Sequence, residues 1–463
     1  NKTFGNHSID ATYLIYAEQF ESANARTTNT LFSPNDLLGY NNLSLGTAPS
    51  LGGEDLISTG DAMMGRVNYS FKSKYLFSAS ARRDGYSAFG PENKRATFPS
   101  LSGGWVISDE SFFDVGPIDF LKLRVSWGIN GNRNIGRYAY LSQLSDNKVL
   151  IVNGGSVTPV ATLDPATMQN SGLKWERTTA TNFGLDFSLF SGIIDGSMEV
   201  YQMLTNDLLV SRALPDVTGY TNVLSNLGEV QNNGFELSLN SRNISNANFK
   251  WSSMVNFSLN RNKINSLYGD LDENGEELDD PTNQWFIGQD IDVLWGQRVL
   301  GVWQLGQEAE ADVYGQFPGD FQVLDKNDDG VFTIEDNEFL GYATPRFRWT
   351  LVNSFNFFQH FDLSIEMYSL WGMKREFNEA KNRDSFVDRT NSIQYPYWTP
   401  ENPQTEWGRL FSSEGGANFN VYRNNSFIRL QNVTLSYTVP QQILDDIKIQ
   451  SLRVYGNIRN AAV

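Results

Sequence analysis

Residues 121–130 read LKLRVSWGIN, and their alternation decides the fold. Leu121, Leu123, Val125, Trp127 and Ile129 fall on one side of an extended chain, and Lys122, Arg124, Ser126 and Asn130 on the other. Successive strand side chains point to opposite faces, so this strand has one apolar and one wet face. A strand that meets lipid on one side and a polar lumen on the other needs this dyad over about ten residues.

The pattern recurs as hairpins. In GRVNYSF–KSK–YLFSASARRD (65–84), Val67, Tyr69 and Phe71 alternate with Asn68 and Ser70, and Tyr75, Phe77, Ala79 and Ala81 resume the apolar side. The same construction appears at 181–202, 234–262 and 346–371, with Phe183, Leu185, Phe187 and Leu189 facing one way and Asn182, Asp186 and Ser188 the other. Long polar stretches near 130–172, 205–227, 263–284, 305–345 and 372–424 separate these hairpins. In an antiparallel meander alternate connections lie on opposite rims. Short turns at one rim and long loops at the other are the arrangement of an outer-membrane barrel. We therefore expect an all-β chain with a large antiparallel transmembrane β-barrel wall of about fourteen to sixteen strands. Leu430 and Val433 in FIRLQNVTLSYTV cannot share a face in strict alternation, which predicts a bulge near Gln431–Asn432. Trp105, Trp175, Trp251, Trp349 and Trp371 are expected in interfacial belts.

Composition agrees. Of 463 residues 40% are hydrophobic, 19% charged and 13% aromatic, too polar for a bundle of membrane helices, and no apolar run approaches the roughly 18 residues that a spanning helix needs. There is no cysteine, and His7 and His360 are the two histidines, which disfavours disulfides, thiolate metal sites and histidine-based catalytic triads. A formal charge of −17 argues against nucleic acid as a partner.

Seven stretches in order resemble the SusC/RagA family of TonB-dependent outer-membrane transporters: RATFPSLSGGWVISDESFF (95–113), LKLRVSWGINGN (121–132), LKWERTTATNFGLDFSLF (173–190), NDLLVSRALPDVTGYTNVLSNLGEVQNNGFELSLN (206–240), PGDFQVLDKNDDGVFTIEDNEFLGYATPRF (318–347), NNSFIRLQNVTLSYTVP (424–440) and SLRVYGNIRN (451–460). The resemblance implies a barrel of about 22 strands with a plugged lumen, of which residues 1–463 would be the C-terminal barrel part, the plug and N-terminal extension lying outside it. It further implies a Gram-negative outer membrane, import of an oligomeric glycan or peptide, a SusD-like lipoprotein over the long loops, TonB acting through the plug, a dimer of such pairs, and no enzymatic step. The competing expectation from composition alone is a β-rich surface adhesion or carbohydrate-binding protein.

Three loop motifs carry candidate chemistry. DKNDDGVFTIED (325–336) has the spacing of a calcium loop: Asp325, Asn327 and Asp329 as side-chain ligands, Gly330 for the turn, the Val331 carbonyl, and Asp336 as the closing carboxylate in place of the usual glutamate. A structural Ca2+ that stiffens this loop is the cofactor expectation. DLDENGEELDD (270–280) is dense in carboxylates and is expected to be a solvated face. Tyr395, Tyr397, Trp398 and Trp407 crowd a proline-rich loop and are the substrate-binding candidates, with loop packing as the plainer role. Arg82, Arg124 and Arg261 are expected on the polar face of their strands.

Overall fold

The computed structural model describes residues 1–30, 48–153, 156–381, 396–445 and 448–462. Fourteen strands form one sheet in which spatial order follows chain order, the meander expected from the alternation. Its members run from Lys2–Phe4 and the paired 24-residue strands His7–Thr30 and Ala48–Phe71 through Tyr75–Tyr86, Arg95–Val106, Ile118–Asn132, Glu176–Leu189 and Ile194–Asn206. The second half comprises Glu229–Ser245, Phe249–Ser266, Phe347–Phe357, Phe361–Trp371, Phe427–Thr438 and Arg453–Ala462. Among the described residues no helix is long and apolar enough to cross a membrane, which leaves crossing by strands untouched.

Along the meander short turns at 5–6, 72–74, 190–193, 246–248 and 358–360 fall on one rim, which also carries the longer connections 107–117 and 439–452, while the opposite rim carries the long connections and the shorter 87–94. Two of the short ones, Lys72–Ser73 and Phe358–Gln359, place both central residues at positive φ, closed by Lys74 N–H to Phe71 O at 3.0 Å and His360 N–H to Phe357 O at 3.1 Å. This primed turn geometry matches the right-handed twist of the flanking strands. The sequence lacks the Asn-Gly signature such turns favour, so ladder pairing on both sides must impose them.

The chain divides into two compact units. The first comprises residues 1–106, 124–182 and 203–229. Its core gathers Phe89, Ala96, Phe98, Ala139, Leu173 and Trp175, with Leu209 and Leu224 packed against it. Trp175 does not sit in an interfacial belt: it is 4% exposed, stacked on Phe89 at 4.7 Å, edge-on to Phe98 at 5.5 Å, and donates Nε1–H to Lys94 O. The long connection folds back over the end of the wall, so alternation at the loop–strand junction points this indole inward. A four-stranded sheet in the same unit combines Gln143–Asn153, Ser156–Met168, Leu209–Ala213 and Asn222–Asn226.

The second unit comprises residues 107–123, 183–202 and 230–463. Here the dyad can be read directly from the ladder: Phe257 faces Trp349, Val255 faces Leu351 and Trp251 faces Phe355, while Asn256 faces Thr350 and Ser258 faces Arg348. Aromatic pairs reinforce the apolar face, Trp251 stacking on Phe355 and Trp371 on Phe347. The bulge falls where the alternation predicts it, since Glu366 pairs with Asn432 and Met367 with Leu430, leaving Gln431 without a partner residue. The extra residue lets Ile428, Leu430, Val433 and Leu435 share one face. Arg261 departs from expectation: Leu259 pairs with Phe347 on the apolar face, and Arg261, two residues on, shares that parity beyond the end of the apolar band. There it donates to the Arg346 and Asn260 carbonyls.

Candidate functional site

The long connections of the second unit build a body of their own. Val299–Val302 pairs with Phe321–Val323, and Lys374–Glu376 with Tyr422–Asn424. Between them a core of Val302, Phe321, Val323, Ala380, Trp398, Ala417, Phe419 and Val421 excludes water. Three segments distant in sequence thus share one interior, and burial of several large side chains stabilises it by roughly 1.5–3 kcal/mol for each.

Charge is built into that interior. Asp320 is fully buried and accepts from Arg409 Nε at 2.7 Å, Arg409 Nη2 at 3.3 Å, Ser413 N–H at 2.8 Å and Phe317 N–H at 2.9 Å. Four donors on one carboxylate compensate the cost of desolvating it. Lys381 joins Glu414 at 2.9 Å, donates to Phe419 O and lies over the Phe419 ring. Gln316, also buried, accepts from Trp303 Nε1 at 2.8 Å and donates to Phe321 O and Ser413 O. Gly319, at φ +96°, is where the chain passes beneath Trp398 and Arg409, since a Cβ there would lie 2.5 Å from the indole. Sequence reasoning missed Asp320, Gln316, Lys381 and Arg409, because their partners are distant in the chain and no local motif marks them. The available signal was Pro-Gly-Asp at 318–320, a turn that places an acid next to aromatic sequence.

The aromatic candidates separate. Tyr395 lies outside the described residues. Tyr397 is exposed. Trp398 is buried in the core and donates Nε1–H to Gln304 Oε1 at 3.1 Å, so its face is not open to a ligand. Trp407 packs on the same core, edge-on to Phe377, with the Arg423 guanidinium over its ring at 4.8 Å. These two indoles hold the loop body together.

Asp325, Asn327, Asp329, Val331 and Asp336 lie in one closed loop, but its carboxylates are committed to backbone donors. Asp336 is fully buried and accepts Lys326 N–H at 2.8 Å and Thr333 N–H at 2.7 Å, completing a capping box with Thr333. Asp325 accepts Gly330 N–H at 2.8 Å, Asp329 N–H at 3.3 Å and the Tyr314 hydroxyl at 3.2 Å. Burial alone would raise the Asp325 carboxyl; these hydrogen bonds outweigh it and hold its pKa below the usual value. Burial and the neighbouring Asp325 push the Tyr314 hydroxyl up. The oxygen-rich set suits a hard cation, yet among the described residues no three acidic or histidine side chains converge as a metal site.

The acidic run is also more than a solvated face. Glu277 Oε1 accepts Leu267 and Gly269 N–H at 2.7 Å each, Asp279 accepts Ile287 N–H, and Asp272 accepts Asn274 and Glu276 N–H. The N–H of Glu276 foremost holds the Asp272 pKa down. These carboxylates fold the loop by replacing water around its backbone donors.

On the polar face of the wall in this unit, Glu199, Glu236 and Arg348 line a shallow groove with Ser197, Ser258 and Thr350. In the other unit Arg82 is gripped by Asp84 at 2.8 Å, as expected for a charge on the polar side.

Comparison with known proteins places this architecture. Residues 2–461 match the family described as TonB dependent receptor-like, beta-barrel. TonB-dependent receptor P3 of Formosa agariphila is 31% identical over 474 residues, covering 99% of this chain and 46% of the relative. TonB-dependent receptor SusC of Bacteroides thetaiotaomicron is 40% identical over 208 residues, 44% of this chain and 21% of the relative. The RagAB peptide transporter superposes with a TM-score of 0.76 at 21% identity, covering 98% of this chain and 49% of that one. The chain spans about half the length of the curated relatives it matches over nearly its whole extent. On the ordered dyads, the fourteen-strand meander and the match over residues 2–461, the chain belongs to the β-barrel family of TonB-dependent receptors, with SusC/RagA-type relatives.

Proposed function

We propose that this chain is the wall and loop scaffold of an outer-membrane importer that takes up an oligomeric glycan or peptide. The observation that carries the reading is the loop body: two long connections with a water-excluding core and the Asp320–Arg409 pair form a rigid platform at the end of a membrane wall. A rim built only to close a barrel would not need a second hydrophobic core. Its rigidity suits docking of a partner, for which a SusD-like lipoprotein is the candidate, and the groove with Glu199, Glu236 and Arg348 suits contact with a plug or with cargo in the lumen. TonB would supply energy through the plug, and two such pairs would associate as a dimer. Nothing in the mechanism makes or breaks a bond in the cargo.

Tyr397 is retained as a cargo contact at the exposed margin of the platform. Calcium is proposed for the loop of Asp325, Asn327, Asp329, Val331 and Asp336, on the condition that Asp336 exchanges its two backbone donors for the ion. The test of function is copurification of the full-length protein from its native membrane. A lipoprotein encoded beside it and retention of labelled oligosaccharides or peptides are expected. A full-length protein that stays soluble without detergent and retains neither would favour a surface adhesin instead.

A further inference from the structure

In the first unit the apolar face of the wall ends in arginines. Tyr75 follows the short turn, and the strand it opens carries Phe77, Ala79 and Ala81 on that face before Arg83. On the next strand Leu101 and Pro99 lead to Thr97 and Arg95. The ladder sets Arg83 opposite Thr97 and Gly85 opposite Arg95, so the two arginines are diagonal neighbours on one face, about 7–8 Å apart at the backbone. Both are exposed, and Arg177 occupies the same parity as Phe183 and Leu185 at the corresponding end of its own strand.

The row is organised rather than incidental. Asp61 pairs across from Gly85 and binds Arg95 through two hydrogen bonds, Nη2–Oδ1 at 2.8 Å and Nε–Oδ2 at 3.2 Å. Gly85 makes room for this, since a Cβ there would lie 2.5 Å from Asp61 Oδ1. Asp61 thus fixes one edge of the Arg95 guanidinium and leaves Nη1 directed elsewhere, with Arg83 beside it. Below the row Tyr13, Val67, Tyr75, Phe77 and Leu101 are exposed large apolar side chains, and Met63 and Ile15, also exposed, lie on the rung of Arg83 itself. At about 3.3 Å per residue and a tilt near 40°, Arg83 stands roughly 20 Å and Arg95 roughly 25 Å above the short-turn rim, where a lipid-facing band of about 25 Å ends. In a chain of net charge −17, cations gathered at this boundary on the long-loop side run against the overall balance.

We propose that Arg83 and Arg95, positioned by Asp61 and Gly85, clamp the phosphate of a phosphorylated glycolipid in the outer leaflet, its acyl chains lying on the apolar band beneath. The proposal rests on the reading of this chain as an outer-membrane wall. Guanidinium forks match phosphate oxygens in geometry as well as charge, and the interface of a bilayer is where each such cation contributes most.

The test uses the full-length protein, delipidated in detergent and offered a lipid A-type glycolipid, its dephosphorylated counterpart, or inorganic phosphate, with retention read by native mass spectrometry. The phosphorylated lipid should be retained about tenfold better than the dephosphorylated one, and the R83Q/R95Q double variant should lose that preference while keeping the heat-modifiable gel mobility of a folded barrel. Equal retention of both lipids, an unchanged preference in the double variant, or displacement by millimolar phosphate would each overturn the clamp. Failure of the protein to require detergent or lipid at all would instead overturn the membrane reading beneath it.

Discussion

Asp320 and Arg409 stand 89 residues apart in the chain and meet edge to edge, the guanidinium Nε and Nη2 each donating to one carboxylate oxygen. The carboxylate is wholly buried and the arginine partly so, and together with the Gln316–Ser413 and Trp398–Gln304 hydrogen bonds the pair ties two connections across their shared apolar core. Replacing Arg409 by Met should leave an uncompensated buried charge and destabilise the loop body by about 3–5 kcal/mol. Hydrogen exchange should then rise across 299–323 and 396–424 with the wall strands unchanged. Equal loss in the strands would refute a separately stabilised body. The double change Asp320→Asn with Arg409→Met should recover part of the protection.

Gly90 sits against the backbone of 171–173, and a Cβ added there would fall 1.9 Å from Ser171 O. Gly90→Ala should therefore displace the chain over Trp175 and Phe89 and cost about 1–3 kcal/mol, the range for forced overpacking. Indole fluorescence provides the readout, with greater solvent quenching expected. An unchanged spectrum and melting profile would mean that the turn relaxes freely.

The Asp325 pKa lies below its ordinary value, so the unfolded loop binds a proton more readily than the folded one. Its stabilising contribution is complete above about pH 4 and is lost as pH falls through the lower folded-state pKa. Asp272 and Asp280 are shifted in the same direction, Asp280 because its bonds from Asn283 and Tyr268 overcome the opposing effect of burial. Amide protection in 267–287 and 325–336 should thus decline on acidification in this window while wall protection persists. Asp325→Asn should flatten the response in 325–336 alone.

Calcium addition should raise protection of 325–336 and its removal should lower it, with Asp336→Ala abolishing the response. If chelation leaves exchange in this loop unchanged, the carboxylate-to-backbone network is the whole structure and no ion is needed.

At the Lys72–Ser73 turn both residues are left-handed. Substituting Asn-Gly should relieve roughly 1–2 kcal/mol of backbone cost and raise the thermal midpoint of the refolded protein. A lower midpoint would show that the side chains contribute more than the backbone loses.

What the sequence made legible followed from the period of the wall. A dyad repeated over strands predicts faces, meander and bulge because a side chain's direction depends on its neighbours in the chain, as Phe257 with Asn256 illustrates. Trp175 failed that logic because it lies where a strand gives way to a returning loop, and packing from Phe89 decides its direction. Arg261 failed it through an assignment of parity that the neighbouring Leu259 contradicts. The loop body was illegible for a different reason. Trp398 looks like a sugar platform among prolines, and only the arrival of Val302, Phe321 and Phe419 from elsewhere turns it into core. Carboxylate motifs are legible only in part, since spacing records which oxygens are near each other but not which backbone N–H groups bond to them, as Lys326 and Thr333 do to Asp336.

The unpaired Gln431 has a consequence for how this wall tolerates change. Each strand is a phase-locked signal, and a single-residue insertion or deletion is a half-period error that turns every following side chain inside out. The bulge already contains one such error, absorbed at a single point, so the four residues before it and those after it are phased separately. The long loop that feeds Phe427 can gain or lose a residue and have the slip taken up there, while Val433 and Leu435 keep their places. Deleting Gln431 itself would do the reverse: an otherwise unchanged composition would carry Ile428 and Leu430 to the wet side and Arg429 to the lipid side, a frameshift in space.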